Sequence, residues 1–113
     1  MYRHGYPVRR DRRYAAALYK KACDGGVARA CVHLGVMHQR GYGVAEDARL
    51  AASLYKRACE QGHRDGCFNL ALLHEVGKGV QKDSAKAAEL YRTACDAGTP
   101  AACFHFQTTQ GNR

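Results

Sequence analysis

No stretch of this 113-residue chain approaches the ~20 consecutive apolar residues that a membrane-spanning helix needs. Nowhere do apolar and polar residues alternate with a period of two, so β-strands are not expected. Tryptophan is absent, phenylalanine occurs three times, and alanine supplies much of the 46% hydrophobic content. That composition suits helices approaching one another closely rather than a bulky core. Serine occurs only at Ser53 and Ser84, and neither lies in a G-x-S-x-G elbow, so this route to an activated nucleophile is missing. Residues 1–14 hold five arginines and no apolar run, so no signal peptide is visible in the chain.

Acidic residues are scarce as well: 10 against 18 lysines and arginines, a formal charge of +8. The excess is uneven. Arg3, Arg9, Arg10, Arg12 and Arg13 stand against Asp11 alone, which places half of the net charge in the first thirteen residues. A basic tail of this kind can touch nucleic acid or an anionic surface. No aromatic stacking platform or reading helix accompanies it, so a solvated tail is the reading adopted and nucleic acid is not the expected partner.

What the chain does have is six cysteines in a strict pattern, at Cys23, Cys31, Cys59, Cys67, Cys95 and Cys103. The spacing C-x7-C occurs three times, displaced by 36 positions each time. The same displacement superimposes Asp11/Asp47/Asp83, Leu18/Leu54/Leu90, Tyr19/Tyr55/Tyr91, Ala22/Ala58/Ala94 and Gly26/Gly62/Gly98. A period of this length marks a solenoid of stacked supersecondary units. The units are read as 11–46, 47–82 and 83–113. Residues 1–10 look like the tail of a preceding unit, since Gly5, Tyr6 and Val8 fall on Gly41, Tyr42 and Val44. The third unit is expected to stop just past the middle of its second helix, where Gln107-Thr108-Thr109-Gln110 replaces the apolar continuation.

Each unit reads as a helical hairpin, which makes the fold all-α. Asp47 and Asp83 each supply an N-cap or a first-turn acid for a first helix. Ala51, Leu54, Tyr55, Ala58 and Cys59 then form an i, i+3, i+4, i+7 stripe, and Gly62 stands where a helix is expected to end. Cys67, Leu70, Leu73 and His74 form the stripe of a second helix. The first unit repeats both with Leu18, Tyr19, Ala22 and Cys23, then Cys31, Leu34, Met37 and His38. Two cysteine pairings are compatible with the repeat. One is Cys23–Cys31, Cys59–Cys67 and Cys95–Cys103, inside each hairpin. The other is staggered, Cys31–Cys59 and Cys67–Cys95, and leaves Cys23 and Cys103 over.

The pattern A-x-x-L-Y-K-x-A-C-x-x-G-x-x-x-x-C-x-x-L, followed by G-x-G-V-x-x-D, resembles the Sel1-like repeats, and more closely their disulfide-bearing branch typified by the Helicobacter cysteine-rich proteins. The resemblance implies an α/α superhelix similar to tetratricopeptide arrays, with one disulfide inside each hairpin. It also implies an adaptor or scaffold role toward protein or peptide partners, and an extracytoplasmic location if the disulfides form. The chain is read as a monomer, and no cofactor is expected. A second function follows from that branch alone: binding or slow hydrolysis of β-lactams. A basic nucleic-acid-binding module is the third.

Three groups of residues are candidates for chemistry. Cys23, Cys31, His33 and His38 can be drawn as a four-ligand metal site, but Cys31 and His33 lie two apart on a helix and point to different faces. No metal is therefore expected there, nor a catalytic role for His38 and His74, which suit a packed contact. Lys20, Lys56 and Arg92 recur at the 36-residue period and line up along one face of the solenoid, with Lys21 and Arg57 beside them. This column is the candidate surface for an acidic or carboxylate-bearing partner.

Overall fold

A computed structural model describes residues 8–111. The reading of residues 1–10 as the tail of an earlier unit falls mainly on residues outside these. Six helices follow one another: α1 Val8–Asp24, α2 Ala28–Arg40, α3 Ala48–Glu60, α4 Arg64–Val76, α5 Ser84–Asp96 and α6 Pro100–Gly111. Each packs on the next, and α2 also touches α4. The described residues contain no strand. The stack measures 51 × 25 × 23 Å, the elongated form expected of a solenoid.

The helix starts follow the expected chemistry. Asp47 and Asp83 have extended backbones, and their carboxylates accept from the amides of Leu50 at 3.0 Å and Lys86 at 2.9 Å. Each satisfies an amide that the first turn leaves without a helical partner. The second helices start differently. Val27 precedes α2 with no side-chain cap, and at α4 the His63 ring accepts from the Asp65 amide at 3.3 Å. α1 begins at Val8, so Asp11 falls within that helix rather than ahead of it.

Glycine is required at two equivalent places between hairpins. Gly43 and Gly79 have φ of 74° and 77°, the left-handed region that L side chains avoid. A Cβ on Gly43 would stand 2.6 Å from Cβ of Arg12, and one on Gly79 would stand 2.3 Å from the carbonyl oxygen of Ala48. These loops therefore press backbone directly against the first helix of their own or the preceding hairpin. Arg12 also stacks over the Tyr42 ring at 4.2 Å.

Alanine and leucine make up most of the core, with a tyrosine in each of the second and third units. Ala51, Ala58, Ala71, Ala94 and Ala102 are fully buried, as are Tyr55 and Tyr91. In the first unit the expectation fails. Leu18 is 50% exposed and Tyr19 only half-buried, whereas Leu54 and Leu90 are buried. The stripe is the same, but Leu54 and Leu90 have α2 and α4 to pack against, and no described helix precedes α1. The third unit differs too: α6 runs 12 residues, almost the 13 of α2 and α4, so its second helix is nearly whole despite the polar residues near its end.

Candidate functional site

The sulfurs of Cys23 and Cys31, Cys59 and Cys67, and Cys95 and Cys103 are bonded to each other, with Cα separations of 4.7, 4.6 and 4.6 Å. A cysteine in the last turn of one helix and another early in the next meet across a tight turn, which is the close approach a disulfide demands. The staggered pairing is thereby excluded, and no described cysteine is free. Cys23, Cys31 and Cys67 are buried, whereas Cys59, Cys95 and Cys103 are partly open.

The recurring tyrosine joins one hairpin to the next. The Tyr55 hydroxyl donates to Oε1 of Gln39 at 2.5 Å, and that of Tyr91 donates to Oε1 of Glu75. In both cases a residue on the first helix of one hairpin reaches back to the second helix of the preceding one. The Tyr55 ring lies over Gly35, where a Cβ would stand 2.6 Å from Cε1. Burial pushes the Tyr55 phenol up to about 12, against the opposing pull of Arg40. Burial and then the Glu75 carboxylate push Tyr91 up as well.

An alkaline transition follows from these shifts. A phenol that keeps its proton more firmly in the folded chain contributes stability that is full below its unfolded value of 10.0 and is lost as pH rises through the folded value of about 12. Thermal melts between those pH values are expected to show a falling midpoint. Tyr55→Phe removes one of the two responsible groups and should flatten the fall; a slope equal to that of the parent would contradict the assignment.

The four residues drawn as a metal set do not converge on one point. Cys23 and Cys31 have spent their sulfurs on each other. His33 stacks on Tyr19 with ring centroids 5.0 Å apart. The His38 ring nitrogen Nδ1 lies 3.1 Å from the Ala45 carbonyl, and His74 repeats this with Gln81 at 3.1 Å. A carbonyl only accepts, so Nδ1 carries the proton in both rings. The same two histidines accept through their backbone carbonyls from the amides of Asp47 and Asp83. They fasten the loop between hairpins.

The cationic column separates into engaged and unengaged members. Lys20 bonds Asp24 at 3.0 Å, and Arg57 reaches back from α3 to the same carboxylate at 3.5 Å and to Sγ of Cys23 at 3.3 Å. The Lys20 ammonium, and after it Arg57, hold the Asp24 carboxyl below the usual carboxylate range. Lys21 is exposed in the last turn of α1. Lys56 and Arg92 are exposed and make no ion pair with any described residue, and each lines an open depression.

The depression at Lys56 is the better formed. It lies between α3 and α5 over α4, with a volume of about 560 Å³, within the ~300–1,000 Å³ range of small-ligand clefts. Leu70, Val80, Leu90 and Ala52 provide apolar lining; Arg49, Lys56 and Lys86 provide positive charge and Glu60 negative. Arg49 and Lys86 stand at other registers than the column, Arg49 aligned with Arg13 and Ala85, and Lys86 with Tyr14 and Leu50; the groove brings them beside Lys56. Ser53 lines it too, and Ser53-Leu54-Tyr55-Lys56 has the S-x-x-K spacing of a serine–lysine pair, contrary to the expectation that neither serine lies in such a motif. No hydrogen bond joins the two side chains.

Relatives of the chain follow the same architecture. A family model described as the Sel1 repeat matches residues 1–27, 28–63 and 64–99. The chain belongs to the Sel1-repeat family. Its matched units pair α2 with α3 and α4 with α5, cutting the same period between the helices of each hairpin. Among solved structures, a Sel1 repeat protein from Oxalobacter formigenes is similar at 30% identity and a TM-score of 0.81, over 88% of this chain and 42% of that one. Helicobacter pylori cysteine rich protein B is similar at 34% identity and a TM-score of 0.75, over 78% and 66%. A protective antigen of uropathogenic Escherichia coli strains, described as displaying an SLR fold, is similar at 31% identity and 0.80, over 87% and 22%. This Sel1-repeat chain therefore spans between about a fifth and two thirds of the length of these neighbours. No curated protein sequence matches it. No described helix is long and apolar enough to cross a membrane.

Proposed function

We propose that this chain is a protein- or peptide-binding scaffold, stapled by one disulfide per hairpin, whose binding face is built by the first helices α1, α3 and α5. The observation that carries the reading is the open groove between α3 and α5, which joins an apolar floor to Arg49 and Lys56, two cations with no ion-pair partner among the described residues. A rigid backbone with small core residues holds such a surface in place without a conformational change on binding, which lowers the entropic cost of association. The three disulfides and the similarity to a cysteine-rich protein favour an extracytoplasmic setting, where disulfides persist.

A peptide array probed with the oxidised protein tests the function directly. Binding to a restricted set of sequences is expected, with capture weakened at least tenfold when Lys56 and Arg92 are both replaced by glutamate. Lys20→Glu should have a smaller effect, because Lys20 already faces Asp24. Failure to bind any peptide on the array, in oxidised and fully folded form, would reject the scaffold reading.

A further inference from the structure

The two inter-hairpin junctions share a backbone but differ in several side chains, and the exchange of Arg57 for Thr93 separates the first from the second most directly. At the first junction Arg57 on α3 reaches back to Cys23 and Asp24 on α1, so its long side chain occupies the space between these helices. At the second junction the equivalent position holds Thr93, whose hydroxyl turns to its own helix and donates to the Glu89 carbonyl at 3.1 Å. No described side chain of α5 forms a hydrogen bond or ion pair with Cys59 or Glu60, the counterparts of Cys23 and Asp24, and both line the groove instead. Glu60 makes no ion pair with any described residue, whereas Asp24 makes two.

Resting on the scaffold reading above, we infer that this groove takes an extended peptide segment in which an acidic side chain is flanked by aliphatic ones. The acidic group is met by Arg49 and Lys56 on α3 and Lys86 on α5, three cations against the single carboxylate of Glu60. Arg49 and Lys56 have no competing partner among the described residues, and Lys86 has only Glu89 at 3.8 Å, an exposed pair of little strength. The aliphatic neighbours rest on Leu70, Val80 and Leu90. In an extended segment alternate side chains point to opposite sides, so an acid and an aliphatic residue can address rim and floor together. A wholly acidic segment would leave the floor uncovered, and a wholly aliphatic one would bury cations without partners, which is costly.

The test uses a fluorescein-labelled octapeptide of alternating leucine and glutamate, and its counterpart with glutamine for glutamate, titrated by fluorescence anisotropy into the full oxidised chain. The glutamate peptide is expected to bind at least tenfold more tightly than the glutamine one, with affinity falling as salt is raised. Thr93→Arg restores the residue type that fills the first junction and is expected to abolish the difference while leaving the melting temperature within a few degrees; Thr93→Ser keeps the groove open and should bind as the parent does. Equal binding of the two peptides would overturn the carboxylate preference, and unchanged binding by a folded Thr93→Arg chain would overturn the location. Either result leaves the scaffold reading intact, since that reading stands or falls on the array.

Discussion

Reduction of the three disulfides is expected to unfold the chain at room temperature. Each bridge joins cysteines eight positions apart, closing a short loop, and contributes roughly 2–3 kcal/mol in the chain-entropy description. Three such terms together rival the ~5–15 kcal/mol that separates an average native domain from its unfolded chain. Helix packing has limited means to replace them, because among the described residues nine of the 21 in the buried core are alanine. Far-UV circular dichroism in a phosphine reductant should show loss of most of the helical signal, and removal of one bridge by Cys59→Ser with Cys67→Ser should lower stability by about 2–3 kcal/mol. A reduced protein that melts like the oxidised one would show that helix packing alone holds the array.

The second large effect is expected at the tyrosine between hairpins. Tyr55→Ala removes a fully buried ring from a pocket floored by Gly35 and strands Gln39 without its donor. Truncations of this kind cost about 3–5 kcal/mol, which for a domain near this size corresponds to a melting-temperature drop of roughly 10–25 °C. Tyr19→Ala supplies an internal comparison: the same residue at the same register, only half-buried, should cost much less. Urea titrations of the two variants give the comparison directly. Equal losses would mean that the ring acts within its own hairpin and does not join neighbours.

Much of this was legible in the residues because a repeat states its own pattern more than once. The 36-residue period, the aspartate caps and the buried stripe of Leu54, Tyr55 and Ala58 needed no coordinates, since each appears in register with its copies. What escaped was what differs between copies. Leu18 carries the same letter as Leu54 but faces no described helix, so periodicity predicted burial that only a neighbour could provide. His63 as a cap, and Gly43 and Gly79 as points of close approach, depend on distances that a one-dimensional pattern does not contain. The groove was half legible: Lys56 belonged to a repeated column, whereas Arg49 and Lys86 join it only because α3 and α5 face one space. The change from Arg57 to Thr93 is plain in the aligned units, yet its meaning required seeing where Arg57 points.

The joints between hairpins are nearly superimposable. His38 and His74 each hold a loop carbonyl at 3.1 Å, Gly41 and Gly77 turn at φ of 71° and 76°, and Asp47 and Asp83 start the next helix at −154° and −155°. The pitch of the array is thus written in the backbone of its connectors, away from the side chains that face outward. Outward residues can therefore be exchanged one hairpin at a time without altering the rise or rotation between hairpins. The geometry of the rod and the chemistry of its face are independent variables, and a sealed junction can stand next to an open one on the same frame.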